Sequence, residues 1–169
     1  MINLIIETLK ENPKVSDYLI LEAKVVSKQA FYVLQKLESR RVQKTKEYSI
    51  TVYHKYQSEE QEYLGSSTFQ ISQELKKSEL QEKIEDAVFA ASFSKNKVFN
   101  LVKGKGKKTW KDQDFQFEAF ELIDKIANIF FSEASKNAKF NSLEIFATQT
   151  TNTLINSQGV DYQKTLNKL

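Results

Sequence analysis

His54 is the single imidazole in a chain of 169 residues, and the chain has no cysteine. Those two facts narrow the available chemistry. Thiolate nucleophiles, disulfides and thiolate zinc sites are excluded. A histidine-rich metal site is excluded as well, because His54 has no H-x-x-x-H or H-E-x-x-H partner. On an alternating strand His54 shares a face with Tyr48, Ile50, Val52 and Tyr56, which is the setting of a packed, hydrogen-bonded histidine. Two groups of carboxylates stand out, Glu59, Glu60 and Glu62, then Glu82, Glu85 and Asp86. Acid–base work needs burial to raise one carboxyl of a pair. The first group falls in a turn and the second opens a helix, so both read as solvated faces. The run Lys103-Gly104-Lys105-Gly106-Lys107-Lys108, followed by Trp110, could touch phosphates with the indole as a stacking platform. Its glycines are too closely spaced for a phosphate-binding loop, no Ser or Thr follows the lysine in register, and no clear strand leads into them. The run reads as a solvated interdomain loop, and no catalytic, metal-ligating or cofactor-binding residue emerges.

Those groups are carried by elements that the hydrophobic pattern predicts. Ile2, Ile5, Ile6 and Leu9 make one apolar helical stripe, which Pro13 ends. Strands follow. Leu19, Leu21, Ala23 and Val25 lie on one side of the first, with Ile20, Glu22 and Lys24 on the other. Polar Ser27-Lys28-Gln29 separates it from a second short strand, Phe31 to Leu34. Alternation then predicts strands over 48–56 and 63–71, joined by the charged turn Ser58-Glu59-Glu60. Short connections favour an antiparallel meander. Ser78 and Gln81 form an S-x-x-Q capping pattern ahead of Leu80, Ile84, Ala87, Val88 and Ala91, predicting a helix over 78–93. Residues 96–114 read as irregular. A second helix is predicted over 115–136, with Ala119, Leu122, Ile123, Ile126, Ala127 and Phe130 as its stripe. Ile129 and Phe131 widen that stripe, so the helix should be buried on more than one side, with Asn137 as a left-handed stop. Leu143, Ile145 and Ala147 mark another strand. Gln149-Thr150 turns it, and Thr151, Thr153 and Ile155 make the return strand. Asn156-Ser157-Gln158-Gly159 closes that strand before a further one at Val160 and Tyr162.

The fold class expected is α+β: an antiparallel meander packed with helices, then a second, partial helix-plus-strands unit. The domain division is 1–95, a linker loop 96–114, and an incomplete unit 115–169. The charge balance is small, Lys+Arg 25 against Asp+Glu 22 for a net +3, and argues against a dedicated nucleic-acid binder. The start lacks a basic leader, and no run approaches the ~18 apolar residues of a spanning helix. A soluble, cytoplasmic protein with no membrane partner is expected.

Three stretches, in order, carry a resemblance. They are Tyr63-Leu64-Gly65-Ser66-Ser67-Thr68, the helix end Ala87-Val88-Phe89-Ala90-Ala91-Ser92-Phe93, and Thr153-Leu154-Ile155-Asn156-Ser157-Gln158-Gly159. Together they resemble the N-terminal region of the TldD/PmbA family, metal-dependent peptidases and partner subunits also labelled modulators of DNA gyrase. The resemblance implies a dimer with a subunit of that type, homo- or hetero-, and an unfolded peptide substrate led into a chamber between subunits. It also implies a divalent metal, zinc, held by a two-histidine motif in the C-terminal part of active members, to which nothing here corresponds. This chain is therefore expected to be a non-catalytic scaffold and assembly portion. Asn156, Ser157 and Gly159 are the candidate peptide-edge or turn residues, and 143–148 and 151–156 the candidate edge strands. A chain ending inside a sheet would leave apolar surface and a bare edge, which predicts self-association. The alternative is a stand-alone protein that captures a peptide or partner on an exposed sheet edge.

Overall fold

The computed structural model describes residues 1–112, 118–133 and 140–169. The elements, in chain order, are α1 (Ile2–Glu11), β1 (Asp17–Val33), β2 (Lys36–Ser58), β3 (Gln61–Ile71), α2 (Lys77–Ala91), β4 (Gly106–Lys111), α3 (Ala119–Ser132), β5 (Ser142–Asn156) and β6 (Val160–Lys168). The strands form one six-stranded sheet in the order β3-β2-β1-β5-β6-β4. The expected α+β class holds.

The meander β1-β2-β3 forms, but with longer strands than the pattern predicted. Ser27-Lys28-Gln29 does not interrupt β1, which runs unbroken for 17 residues. Ser27 and Gln29 are themselves buried. Their side chains find partners inside, Gln29 Nε2 donating to Ser27 Oγ at 3.3 Å, so polarity there is not a loop signal. β2 likewise starts at Lys36, twelve residues ahead of Tyr48. Residues 36–47 are exposed on both faces, so no alternation betrays the strand. Leu34 and Gln35 join β1 to β2 with φ of 47° and 65°, and Glu59 and Glu60 join β2 to β3 with φ of 52° and 63°. Two-residue hairpin turns of this kind need positive φ at both positions. The second was legible as a charged turn; the first has neither Gly nor Asn to announce it.

By internal packing the chain divides into two units. The first comprises residues 1–23, 46–109 and 152–163. Its core is the stripe of α1 (Ile5, Leu9) and that of α2 (Leu80, Ile84, Ala87, Val88) against Tyr18, Ile20, Tyr48, Ile50, Val52 and Ile71 of the strands. Both helical stripes match expectation. α2 begins one residue earlier than predicted because its cap is Lys76, whose backbone N–H donates to Glu79 Oε2 at 2.7 Å. The Ser78–Gln81 pattern is therefore not the cap. The face of β1 that carries Ile20 and Glu22 turns inward, and Leu21 lies on the exposed side.

The second unit comprises residues 24–45, 110–151 and 164–169. Ile123 and Ala127 of α3 pack with Ala30, Tyr32, Ile145 and Ala147. α3 is buried on one side only. Ile129 is 62% exposed and Phe130 also faces outward, against the expectation of burial on several faces. The predicted extension of α3 to 115 and 136, and the Asn137 stop, lie outside the described residues. Gln149 and Thr150 do not turn the chain, since β5 is continuous through them. Threonine is a strand former, and the polar side chains pair across strands. Thr151 Oγ1 meets Thr165 Oγ1 at 3.0 Å, and Gln149 Nε2 donates to Asn167 Oδ1 at 3.0 Å.

The region read as irregular contains β4. Gly104 N–H donates to the Gln158 carbonyl at 3.0 Å, and Asp112 N–H to the Thr165 carbonyl at 3.0 Å. Both strands advance in the same direction between these bonds, so β4 runs parallel to β6 and makes the sheet mixed. All six residues of β4 are exposed, which is why no hydrophobic period marked it. Among the described residues, no helix is long and apolar enough to cross a membrane.

Candidate functional site

The three motif stretches all fall in the first unit, and two of them meet. Gly65 of β3 lies beneath the end of α2. A Cβ at that position would stand 1.8 Å from the Ala91 carbonyl oxygen and 3.1 Å from that of Ser94. Only a residue without a side chain permits this approach. Beside it, Leu64 N–H donates to the Asn96 carbonyl at 3.0 Å, and Tyr56 Oη donates to the Ser94 carbonyl at 3.1 Å. The strand and the helix end thus form one joint. Of the helix-end residues, Ala87, Val88 and Ala91 are buried, whereas Phe89 is 68% and Phe93 72% exposed. Their rings meet edge to face at 5.0 Å. Phe89 also lines an open groove of about 510 Å³ with Pro13, Lys14, His54 and Glu85.

The third motif is the turn between β5 and β6. Asn156, buried at the end of β5, accepts at Oδ1 from the backbone N–H groups of Gln158 (3.0 Å) and Val160 (2.9 Å). Its Nδ2 donates to the Val102 carbonyl at 2.8 Å. Gly159 takes φ of +84°, the left-handed position of a three-residue hairpin loop. Ser157 Oγ donates to Asp17 Oδ1 and accepts from Tyr18 N–H at 3.3 Å. Gln158 Nε2 reaches the same Asp17 oxygen at 2.8 Å. A Cβ on Gly104 would stand 2.1 Å from the Gly159 carbonyl oxygen. The turn therefore ties together the start of β1, the end of β5 and the segment that leads into β4. The side chains of Asn156, Ser157 and Gln158 all serve that purpose.

β5 lies between β1 and β6. Residues 143–148 and 151–156 are therefore not sheet edges, because their backbone groups have neighbours on both sides. That expectation is corrected: the edges are β3 and β4. The outer side of β3 is partly covered, since Tyr63 bridges to Lys97 and Ser94 Oγ donates to the Ser66 carbonyl.

The other sequence candidates are placed as follows. His54 Nδ1 contacts the Lys14 carbonyl at 2.7 Å, and its ring stacks on Tyr56. Glu59 pairs with Lys95 at 3.1 Å and Glu62 with Lys55 at 2.8 Å. Glu82, Glu85 and Asp86 are exposed on α2. Among the described residues, no three His, Asp or Glu side chains converge on a point that could hold a metal ion. The divalent metal implied by the resemblance finds no fitting donor set among the described residues.

Sequence reading missed one buried carboxylate. Glu22 is 3% exposed. It accepts from Thr153 Oγ1 at 3.4 Å and pairs with Lys46 at 3.4 Å. Tyr48, whose ring lies under the ammonium group at 5.1 Å, and then Glu22 hold the Lys46 pKa above its ordinary value. The stretch Leu19 to Ala23 is apolar on both faces, so alternation could not tell which way Glu22 points. In the second unit Asp124 takes the Tyr32 hydroxyl at 2.8 Å and the Arg40 guanidinium at 2.5 Å.

This arrangement of strands and helices recurs in solved structures. TldE from Thermococcus kodakarensis matches with a TM-score of 0.56 at 15% identity, over 99% of this chain and 37% of that one. A modulator of DNA gyrase from Thermotoga maritima matches at 0.63 and 11% identity, over 99% and 38%. One from Bacteroides thetaiotaomicron matches at 0.60 and 14%, over 98% and 38%. The chain has the TldD/PmbA fold. It spans less than two fifths of the length of these TldD/PmbA structures. No protein-family model and no curated protein matches the sequence. The three motifs each serve a backbone joint of this fold: Gly65 of the first under Ala91 of the second, and the third as the Asn156 turn.

Proposed function

We propose that this chain is the scaffold and assembly portion of a TldD/PmbA-like peptidase, non-catalytic by itself. In this reading it helps to build a chamber that guides unfolded peptide to a metal site outside these residues. The observation that carries the reading is the shared fold over almost the whole chain, at less than two fifths of the length of its structural neighbours. The motif residues support it, for they are spent on backbone joints and not on reactive groups. The exposed Phe89–Phe93 pair supports assembly with a second subunit, homo- or heteromeric, since two adjoining large apolar side chains left outside the core gain from being covered by a partner.

The test is to mix the purified chain with fluorescently labelled unfolded casein, with and without added zinc. Binding without cleavage is the expected result. Chelator-sensitive hydrolysis by this chain alone would overturn the reading.

A further inference from the structure

β4 offers the more accessible of the two sheet edges, and its chemistry is one-sided. Lys103, Lys105, Lys107, Lys108 and Lys111 fall within residues 103–111, and no Asp or Glu lies between Lys95 and Lys111. The whole of β4 is exposed. Among the described residues, Lys103, Lys105, Lys107 and Lys108 make no ion pair. The row is also held firmly. Gly104 is pressed on the Gly159 backbone, Val102 is held by Asn156, and the Gly104 N–H is bonded to Gln158. Beside it, Lys103, Lys105 and Lys108 line a hollow of about 360 Å³ that also contains Asp161 and Tyr162, three ammonium groups against one carboxylate.

An edge strand presents a row of outward N–H and C=O groups, a template for another strand. Strand addition draws affinity from that backbone and selectivity from the flanking side chains. Here the flanking side chains are lysines. We propose that the edge formed by β4 and the residues leading into it, Lys103 to Thr109, captures an extended acidic peptide segment, which adds as a further strand with its carboxylates between the lysine ammonium groups. This rests on the peptide-guiding reading above and names its substrate class. A nucleic acid is the less favoured ligand. The net charge of the chain is only +3, and the row lies along a strand edge whose carbonyls a phosphodiester, having no donor, leaves unpaired.

The experiment measures binding of four labelled probes to the intact chain by fluorescence anisotropy. The first is an eight-residue peptide alternating Glu and Val. The second has Gln in place of Glu. The third is the acidic peptide N-methylated at alternate residues. The fourth is a single-stranded oligonucleotide of equal charge. The acidic peptide should bind about tenfold more tightly than the Gln and N-methylated peptides, and more tightly than the oligonucleotide. The triple variant K105Q/K107Q/K108Q should lose that advantage with an unchanged far-UV circular dichroism spectrum. Equal binding of the Gln peptide would overturn acid selectivity and leave peptide guidance standing. Equal binding of the N-methylated peptide would overturn strand addition. Preference for the oligonucleotide would reassign the edge to nucleic acid. Binding of none of the three peptides would remove both this inference and the function on which it rests.

Discussion

Gly65 and Ala91 touch backbone to backbone, so closely that a methyl group on the glycine would fall 1.8 Å from the alanine carbonyl oxygen. The obstructing atom belongs to main chain at the end of α2, and cannot rotate away as a side chain could. Gly65→Ala must therefore push β3 off the helix end or fray the last turn of α2. The expected loss is about 2–3 kcal/mol, the upper part of the range for an overpacked interior. Urea unfolding measures it, and a midpoint equal to that of the parent protein would show that the joint is soft.

Asn156 satisfies two N–H groups and one carbonyl with a single side chain. Asn156→Ala strands all three near the sheet and should cost about 2–3 kcal/mol. Asn156→Asp keeps the acceptor for Gln158 and Val160 but brings a carboxylate to the Val102 carbonyl, so it should recover only part of the loss. Thermal unfolding of the two variants side by side gives the order. If Asp is as stable as Asn, the contact to Val102 contributes nothing.

Tyr32 contributes to the alkaline limit, beside Tyr18, Tyr48 and Tyr53, whose hydroxyls burial also raises. Burial first, and then the neighbouring Asp124, push the Tyr32 hydroxyl up to about 12. A group whose folded value lies above its unfolded value near 10 stabilises fully below pH 10, and loses that contribution as pH climbs from 10 towards 12. The stake is on the order of 2 kcal/mol. Stability measured against pH should fall across that window, and Tyr32→Phe should flatten the fall. Asp124 acts at the other end. Burial works to raise its carboxyl, but the Arg40 guanidinium and the Tyr32 hydroxyl outweigh it and hold the value low. Its contribution is present above the ordinary aspartate range and fades as pH drops through the lowered value. Asp124→Asn should remove part of the acid slope.

The elements that read correctly from sequence are those with one wet face and one dry face. Ile5 and Leu9 of α1, and Leu80, Ile84 and Ala91 of α2, are buried where the period of the sequence placed them. Residues 36–47 and 106–111 have two wet faces; 36–47 pair with β1 across the unadvertised Leu34–Gln35 turn, and 106–111 pair with β6, far along the chain. Nothing local records that pairing. The Asn156–Gly159 turn was legible because its conformation demands those residue types. The turn at Leu34 and Gln35 takes the same left-handed geometry from residues that do not advertise it. The edges were misplaced for a related reason. Whether a strand is an edge depends on where β1 and β6 lie, and a polar, half-buried strand such as β5 looks like an edge from its composition alone.

Phe89 and Phe93 stand outside the core that α2 builds, so their removal separates folding from assembly. The double variant F89S/F93S should leave the urea midpoint within about 0.5 kcal/mol of the parent, as surface changes do. If the pair is a subunit contact, sedimentation velocity at high protein concentration should show the parent chain associating and the variant as a slower, monomeric boundary. The groove next to Phe89 includes His54 and Lys14, so His54→Ala is the useful companion: it alters the groove floor without touching the aromatic pair. Loss of association in F89S/F93S alone assigns the contact to the rings, and equal loss in both assigns it to the groove. Association unchanged in F89S/F93S would detach self-assembly from this end of α2 altogether.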